Sequence, residues 1–333
     1  MASKKIIVEK ISPSELFRYD DFIARAKYKS YSQFAEIPGK ALNDLFFEEL
    51  EGTKNSALTV FMAMSQSRPV GLLSLHKLNW DTEHFGMPMG KIRHILGGVD
   101  ENLDFAAKKM LLKAAHEQFR KMQIRHISVR LSADDFNAIL ALEQARYYLA
   151  DTIVEYYFDF KRKNIPEISH LCQLRLYQDS DYELIKKSVK NMFEGYIDRF
   201  HRDPYLDQQK STELYEQWML NSCKGLTDDC ILAAIDGKLA GVSTVETYHK
   251  INKILPVSIG EIILSGVVAD FRGKRVYTSM INFGQEYFKD KVNLLRVATQ
   301  LNNFYVQKAW VELGFFLKYA FHTYHYYFQG VGK

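Results

Sequence analysis

Apolar and polar positions along the second half of the chain alternate in blocks that predict a regular series of elements. The segment 259–269, IGEIILSGVVA, is a near-continuous apolar run, typical of a buried strand. A helix is predicted over 276–289, a strand over 294–300, a helix over 303–313, and then a last aromatic strand. Strands that alternate with helices in this way predict a mixed α/β sheet with a strand–loop–helix unit at its centre.

The stretch that precedes this series predicts further strands and helices. A short strand leads into a helix that begins near residue 180, and the pattern over 211–225 is that of an amphipathic helix with Ser211 as its candidate N-cap. A hairpin follows, with Asp236-Gly237 as its predicted turn. The second half therefore has enough elements to form a domain of its own.

The chain also contains an internal repeat. Residues 131–160 and 299–328 align so that Asp135 falls on Asn303, and both segments read as a helix, a pair of aromatic residues and a terminal aromatic strand. Two hairpins upstream match at nearly the same spacing. The repeat indicates a tandem duplication, and the charged, Pro-containing stretch 161–167 is suited to a linker between the copies.

Composition limits the class of protein. The 333 residues are 47% hydrophobic and 25% charged, which is ordinary for a globular chain of about two domains. The 44 basic and 40 acidic residues are too balanced to favour nucleic acid as a partner. Three cysteines without regular spacing argue against a disulfide framework or a metal site. The sequence contains neither a signal peptide nor an apolar run of the ~20 residues that a membrane helix needs, so we expect a cytoplasmic protein without membrane insertion.

The sequence predicts an anion site where the strand 259–269 ends. Arg272, Lys274 and Arg275 place three cations beside the predicted start of a helix, where free backbone N–H groups and the helix dipole favour phosphate. The alternative is a solvated basic turn, since short basic turns are common.

The order of elements resembles that of the GNAT superfamily of acyl-CoA-dependent N-acyltransferases. In that family the loop reads Arg/Gln-x-x-Gly-x-Gly/Ala and holds the CoA pyrophosphate. Arg272 matches the first position, whereas Arg275 and Tyr277 stand where the family has a glycine and a small residue. Asn303 matches an Asn that binds the pantetheine arm, and Trp310 stands where the family has a Tyr that protonates the leaving thiolate.

The resemblance extends to one tandem-domain branch of that family. This branch acylates the amino group of dTDP-linked amino-dideoxy sugars, as in the acetylation of fucosamine for bacterial surface polysaccharides. The segments that carry the likeness are DRFHRDPYL (198–206), LYEQWMLNSCKG (214–225), LRVATQLNN (295–303) and NWDTEHFGMPMGKI (79–92).

The resemblance implies an α/β fold of two tandem GNAT-like domains, each with a mixed, mostly antiparallel central sheet flanked by helices. Residues 1–163 would form a degenerate N-terminal domain and residues 164–333 the acyl-CoA-binding domain. In the first half, Gly97-Gly98 is soon followed by the acids Asp100 and Glu101, which would repel a phosphate. We therefore expect that only the second domain binds CoA.

Site residues follow from the same resemblance. The expected acyl-CoA contacts are Val267, Val268, Arg272, Gly273, Lys274, Arg275, Val276, Tyr277 and Asn303. The expected contacts of the nucleotide sugar combine cations for its diphosphate with aromatic rings for its base and sugar, and they are Tyr196, Arg199, His201, Trp80 and Asp81. The predicted catalytic residues are Glu261, Asn303 and Trp310.

The identity of a general base is left open by the sequence. Glu261 is an acid inside an apolar strand, where burial raises a carboxyl pKa, but such a residue is also commonly an ion-paired strand carboxylate. Glu246 and His201 are other candidates, and positioning alone is a fourth.

The leading hypothesis is transfer of an acetyl or longer acyl group from acyl-CoA to the amine of a dTDP-linked amino-dideoxyhexose, without a metal. The alternatives are an acyltransferase for another primary amine and an inactive module that binds CoA or a partner protein. The sequence leaves the oligomeric state open, a homodimer included.

Overall fold

The computed structural model describes residues 5–98 and 100–329, which form two compact units. The first unit runs to Thr152 and also includes the segment from Ala320 onward, and the second unit is Ile153–Tyr319. The strands are β1 (Ile6–Ile11), β2 (Thr59–Ser65), β3 (Arg68–Lys77), β4 (Met89–Gly97), β5 (His126–Ser132), β6 (Tyr148–Asp159), β7 (Gln173–Leu176), β8 (Asp229–Ile235), β9 (Lys238–Thr247), β10 (Ile259–Val267), β11 (Leu294–Gln300) and β12 (Phe316–Tyr327). The helices are α1 (Asp20–Arg25), α2 (Gly39–Glu51), α3 (Asn79–Phe85), α4 (Glu101–Lys121), α5 (Phe136–Gln144), α6 (Tyr182–Phe193), α7 (Gln208–Asn221), α8 (Ile251–Ile254), α9 (Val276–Phe288) and α10 (Phe304–Glu312).

The sheet of the first unit has the strand order β1-β2-β3-β4-β5-β12. Only the β4–β5 pair among these is parallel. Helix α4 covers one face with a stripe of buried apolar residues spaced four positions apart, which are Ala107, Leu111, Ala115 and Phe119. The apolar pattern of α4 therefore becomes the core of this unit.

The sheet of the second unit repeats this arrangement. Its strand order is β6-β11-β10-β9-β8-β7, and β10–β11 is its one parallel pair among the described residues. Helix α9 lies on β8, β9 and β10, with Met280, Ile281 and Phe288 fully buried. The predicted fold of two repeated α/β sheets, mostly antiparallel and flanked by helices, is confirmed.

Each sheet contains a strand from the far end of the other sequence half. Residues Phe321–Tyr327 of β12 pair with β5 in the first unit, and residues Ile153–Asp159 of β6 pair with β11 in the second. The predicted domain boundary at 163/164 does not take this exchange into account, because the hydrophobic pattern of a strand does not show which strand it pairs with. Each unit therefore draws on both halves of the chain.

The centre of the second sheet opens into a cleft. The β10–β11 pairing runs from Ile259↔Leu294 to Ile262↔Val297 and stops there, while β11 stays paired with β6 as far as Gln300. On its other side, β10 shifts register against β9 between Ile262 and Ser265. A bulge of this kind bends a strand, so the last half of β10 turns away from β11 and leaves space between their ends.

Local structure follows the sequence patterns closely, with differences of a few residues at element boundaries, and Ser211 is not the N-cap of α7 but lies inside it. Asp236 and Gly237 both have positive φ (49° and 73°), as the predicted two-residue hairpin turn requires. The helix predicted over 211–225 begins at Gln208 instead, because the Asp207 side chain caps it by accepting from the Lys210 N–H at 2.9 Å. No helix among the described residues is both long and apolar enough to span a membrane.

Candidate active site

The segment between β10 and α9 presents a helix N-terminus at the opening of the cleft. Gly273 has φ 76° and Arg275, the N-cap residue of α9, has φ 58°, so two left-handed residues turn the chain into the helix. The Arg275 side chain forms no cap hydrogen bond. The first helical N–H groups of α9 therefore remain available to a ligand, as the first turn of any helix leaves them.

The basic side chains of this segment are directed to different places. The Arg272 guanidinium donates to backbone carbonyls at the end of α6, including Met192 O at 3.1 Å and Glu194 O at 3.3 Å. Lys274 lies over the Phe271 ring at 5.1 Å, and Arg275 forms an exposed ion pair with Glu312 at 3.8 Å. Arg272 thus fixes α6 to the segment, while the cations of Lys274 and Arg275 stay at the surface.

The backbone on either side of the segment is held by the sheet. Val267 is the last residue of β10 and pairs with Gly241, and the Val268 N–H donates to Ala240 O at 2.9 Å. Val276 is buried as the first residue of α9. These contacts set the position of the α9 N-terminus relative to β10.

Tyr277, at the predicted small-residue position, turns its phenol to α10. The Trp310 indole N–H donates to the Tyr277 hydroxyl at 2.9 Å, and the Trp310 ring is fully buried against Tyr156. Burial raises the pKa of Tyr277, so its hydroxyl stays protonated. The Trp310 N–H therefore already has an acceptor, whatever further role the pair has.

Asn303 is the N-cap residue of α10, as the repeat predicts. Its backbone angles, φ −86° and ψ 66°, nearly equal those of Asp135 before α5, φ −83° and ψ 71°. The Asn303 side chain does not cap its helix, and its Nδ2 donates instead to Thr299 Oγ1 at 3.0 Å. Among the described residues, no donor bonds to Oδ1 of the Asn303 side chain, which suits the N–H of a ligand amide.

Glu261 belongs to a row of polar residues that crosses four strands. Glu246, Glu261, Arg296 and Tyr157 are direct pairing partners on β9, β10, β11 and β6, so their side chains share one face. The Arg296 guanidinium donates to Glu261 Oε2 at 2.8 Å and also forms a very short contact with Glu155. One half-buried cation therefore holds two buried carboxylates.

Burial and the excess of carboxylates over cations shift the pKa values in this row. Burial raises the pKa of Glu261 to about 7, Arg296 opposes the rise, and the neighbouring acids Glu155 and Glu246 add to it. Burial and nearby acid also raise the pKa of Glu246. A carboxyl with a pKa near neutrality is suited to accept and release a proton at physiological pH.

The segment between α6 and α7 brings the predicted acceptor residues of the second unit together. The Tyr196 hydroxyl donates to Gln300 Oε1 at 2.9 Å, and the Tyr196 ring meets the His201 ring edge-on at 6.4 Å. Among the described residues Arg199 forms no ion pair, and its guanidinium lies over Phe200 at 4.4 Å. The hydrogen bond from Tyr196 thus holds this segment to Gln300, the last residue of β11.

His201 is held on both sides by the protein. Its Nδ1 lies 2.7 Å from Asp198 Oδ1 and its Nε2 lies 3.1 Å from Thr212 Oγ1. Asp198 is buried, and bonds from His201, Tyr215 and the backbone lower its pKa despite the opposing effect of burial, which is the largest single contribution. Because both ring nitrogens of His201 are hydrogen-bonded within the protein, its side chain orders this segment.

Trp80 and Asp81 lie on α3 of the first unit. Trp80 is about half exposed and stacks on His84 at a centroid distance of 5.0 Å and an angle of 7°. Asp81 is half-buried in the first turn of α3. Trp80 therefore offers an exposed aromatic face, in contrast to the core packing that a Trp commonly has.

The first unit has a shorter connection at the matching position. Its β4 ends at Gly97 and α4 already begins at Glu101, whereas β10 ends at Val267 and α9 begins at Val276. The first unit therefore lacks the length of chain that forms the two left-handed turns of the second.

The first unit also has a buried lysine at the position that corresponds to Tyr277. Lys108 precedes Phe119 by as many residues as Tyr277 precedes Phe288, and the two phenylalanines pack on Gly90 and Gly260 in the same way. The Lys108 ammonium is 1% exposed and bonds to Asp135 and Asp104 at 2.7 and 3.0 Å.

Sequence reasoning missed Arg296, Glu155 and Asp198. Arg296 carries the same signal that singled out Glu261, a charge inside an apolar strand, and Glu155 lies inside the aromatic strand β6. Their pairing depends on β6 crossing into the second unit, which the pattern of β6 does not show.

Comparison with known proteins agrees with this geometry. Residues 190–315 match the model of the acetyltransferase (GNAT) family. The match covers 126 of the 333 residues. No protein of curated function matches the chain in sequence.

Solved structures of the family resemble the chain over nearly its full length. A GCN5-related N-acetyltransferase from Sphaerobacter thermophilus has a TM-score of 0.63 at 12% identity, over 97% of this chain and 95% of that one. A tandem GNAT protein from the clavulanic acid biosynthesis pathway has a TM-score of 0.55 at 13% identity, over 99% and 100%. A glucosamine N-acetyltransferase region of a fungal multi-domain β-N-acetylglucosaminidase has a TM-score of 0.64 at 13% identity, over 98% of this chain and 38% of that one. At these identities the likeness establishes a shared fold.

Proposed function

We propose that the second unit binds acyl-CoA and transfers its acyl group to a primary amine, and that the first unit does not bind CoA. The observation that carries the proposal is the uncapped N-terminus of α9 at the point where β10 and β11 separate. Backbone N–H groups there would receive the pyrophosphate, with Gly273, Lys274, Arg275, Val276 and Tyr277 forming the turn. The pantetheine arm would lie between the strands, where the Asn303 side chain offers its amide oxygen, Oδ1.

The chemistry requires a neutral amine and a stabilised leaving thiolate. Glu261, in its ionised form, would accept the proton of the acceptor ammonium directly or through a water molecule. The amine then attacks the thioester carbonyl, the C–S bond breaks, and CoA leaves as a thiolate. A thiolate with a pKa of ~8–9 leaves without a strong acid, so the Trp310–Tyr277 pair need only stabilise the sulfur by hydrogen bonding.

For the acceptor we propose a dTDP-linked amino-dideoxyhexose, in a pathway for surface polysaccharide. Arg199 would contact the diphosphate, and Tyr196 a ring of the base or sugar. His201 would hold their segment in place, while Trp80 and Asp81 remain proposed contacts from the first unit. The excess of carboxylates around Arg296 favours a positively charged amine.

The first unit supplies no acyl-CoA site in this proposal. Its connection from β4 to α4 has three residues where that from β10 to α9 has eight, and Lys108 forms buried ion pairs with Asp104 and Asp135. Acyl-CoA binding should therefore saturate at one molecule per chain.

The test is a matrix of acyl-CoAs of increasing chain length against dTDP-linked amino sugars and simple amines, read by mass spectrometry. We expect a mass gain of one acyl group on a nucleotide sugar, and its loss in Glu261→Gln but not in the matched surface variant Glu286→Gln. A gain only on another amine would replace the sugar with that acceptor. Thermal shifts with CoA but no product with any amine would favour an inactive CoA-binding module.

A further inference from the structure

In the second unit, the chain that follows β6 covers the groove between α9 and α10. Residues 163–170 form neither helix nor strand. The Asn282 amide of α9 donates to Pro166 O at 3.0 Å, and the Lys163 ammonium donates to Gly314 O, just after α10, at 2.7 Å. Under this cover, Asn282 is only 4% exposed and Gln285, one turn further along α9, is fully buried.

The corresponding groove of the first unit, between α4 and α5, is open in the part of the chain that the structure describes. In the repeat, Lys113 takes the place of Asn282 and His116 that of Gln285, both at an offset of 169 residues. Lys113 is exposed and His116 is half-buried, whereas their counterparts are buried. A cavity of about 400 Å³ lies here, and we call it the α4–α5 groove.

The walls of the α4–α5 groove carry a surplus of positive charge. Lys109, Lys113 and Arg120 line it from α4, against the single acid Glu117. All four residues are exposed, so their charged groups can reach a ligand in the groove. Burial lowers the pKa of His116 to about 4, so this imidazole adds no charge at neutral pH. The surplus of cations favours an anionic partner.

The inner surface of the groove is apolar. Leu112 lines it from α4, and Ala141 and Ala145 line it from α5. Tyr326 of β12 also lines it and takes the place of Phe158 in the repeat. Phe158 is fully buried in the second unit, but Tyr326 is half-buried. The groove therefore offers apolar surface for side chains that lie between charged groups.

The length of the groove suits a short stretch of chain. Its lining runs along α4 from Lys109 to Arg120, which is about 16 Å at ~1.5 Å per residue. A polyproline II chain of about five residues spans that length at ~3.1 Å per residue. Such a chain has three residues per turn, so side chains three residues apart lie on one face about 9 Å apart. Lys113 and Arg120, two turns apart on α4, are separated by about 10 Å along the helix axis.

We infer that the α4–α5 groove binds an extended acidic peptide segment of a partner protein, in the place that residues 163–170 take in the second unit. Two carboxylates three residues apart would pair with Lys113 and Arg120, and the apolar residues between them would lie on the inner surface of the groove. This binding is separate from the proposed acyl transfer, and its test needs no acyl-CoA.

The probe is the five-residue peptide Asp-Ile-Pro-Glu-Ile, with both ends blocked and an uncharged fluorophore attached. It copies residues 164–168 with Asp in place of Asn164. The matched neutral analogue is Asn-Ile-Pro-Gln-Ile, and each peptide is titrated with the full chain by fluorescence anisotropy. We expect saturable binding of the acidic peptide, about fivefold or more tighter than that of the analogue, because two ion pairs are lost in the analogue. Added salt should reduce this difference, since it screens exposed charges.

Two variants and two controls locate the binding. Lys113→Gln and Arg120→Gln each remove one exposed cation of the groove, and each should weaken binding of the acidic peptide about threefold without changing that of the analogue. Lys121→Gln removes an exposed cation of α4 outside the groove, and Lys289→Gln removes the counterpart of Arg120 in the second unit. Both controls lose the same net charge, and both should bind as the parent chain does.

Four results would overturn the inference. They are no saturable binding of the acidic peptide to the full chain, equal affinity for the neutral analogue, equal losses in the groove variants and the controls, and equal affinity for blocked aspartate alone. Binding of the peptide only to a chain that stops at Gln329 would assign the groove to residues 330–333 of the same chain instead of a partner.

Discussion

At the scale of single residues, Glu261 shows how a site can be partly read from a sequence. A carboxylate in an apolar strand predicts a raised pKa, and the buried Glu261 has one of about 7. Its partners were not predictable in the same way, because Arg296 and Glu155 reach it from β11 and β6. Residue type and local pattern indicate a group with a shifted pKa, while the identity of its neighbours depends on strand order.

Replacing Glu261 by Gln should remove the proposed base. We expect kcat to fall by about 10²–10⁴, the usual contribution of general acid–base catalysis. In the parent chain kcat/KM should rise with pH through about 7, because only the ionised Glu261 accepts a proton. Steady-state rates over pH 5–9 check this. A pH profile unchanged in Glu261→Gln would assign the base elsewhere.

The same shift predicts how stability changes with pH. The folded-state pKa of Glu261, about 7, lies above its ordinary value of 4.5, so the folded chain binds a proton more tightly than the unfolded chain. The free energy of unfolding should therefore fall as pH rises from 4.5 to 7, by about 1.4 kcal/mol per pH unit at most for this group. Urea titrations of Glu261→Gln should lack this slope.

Arg296 should act as a positioning residue. Arg296→Met removes the cation that opposes the rise in Glu261 pKa, so the limb of the pH–rate profile should move to higher pH. Leaving two buried carboxylates without their partner should also cost about 3–5 kcal/mol. Arg296→Lys should restore part of the pH limb. A loss of stability with the pH limb unmoved would limit Arg296 to a structural role.

At the scale of elements, the β10–α9 segment was predicted in outline but not in detail. The strand, the helix and the three cations between them follow from pattern. Two left-handed residues, Gly273 and Arg275, form the turn, although only the first is a glycine. The Arg272 guanidinium bonds to the end of α6. The position of that end cannot be predicted from the pattern of residues 270–277. The sequence thus indicated a basic turn before a helix, but not the contact of Arg272 with the end of α6.

Arg272→Ala should affect stability and cofactor binding together. The guanidinium holds carbonyls at the end of α6, so its loss should lower Tm and raise the KM for acyl-CoA about tenfold or more while leaving that for the acceptor nearly unchanged. Arg162→Ala is the matched control, because its ion pair with Asp159 is exposed, contributes little and lies outside the proposed site. Equal KM values for acyl-CoA in both variants would remove Arg272 from the site.

Trp310→Phe tests the pair that links α9 and α10. Phe keeps an apolar ring against Tyr156 but leaves the Tyr277 hydroxyl without its donor. We expect kcat to stay within a few-fold, because the thiolate leaves without an acid, while the smaller ring in a full core lowers stability by about 1–3 kcal/mol. A fall in kcat of tenfold or more, measured at saturating acyl-CoA, would show that the indole N–H stabilises the transition state.

At the scale of the whole molecule, the repeat was predicted from sequence and the strand exchange was not. Aligned aromatic strands at 148–159 and 316–327 establish that the two copies are equivalent, but equivalent strands are equally able to pair in either unit. The structure shows which pairing occurs. Residues Ile153–Asp159 pair with β11, and residues Phe321–Tyr327 pair with β5. Long-range strand pairing of this kind is decided by packing, not by local propensity.

The exchange predicts that the two sequence halves do not fold separately. A fragment 1–163 lacks β12, so one edge of β5 is left without its hydrogen-bond partner, and a fragment 164–333 lacks the strand that pairs with β11. Exposed, unpaired strand edges favour aggregation. We expect each fragment alone to be insoluble or to unfold without a cooperative transition.

Co-expressed, the two fragments should copurify and recover the Tm of the intact chain to within several degrees, since the linker at 161–167 contributes mainly chain entropy. The matched control is the intact chain cleaved at an engineered protease site within 161–167, which should remain associated. Cooperative thermal unfolding of either fragment alone, with circular dichroism of the native type, would show that the exchanged strand is dispensable to its unit.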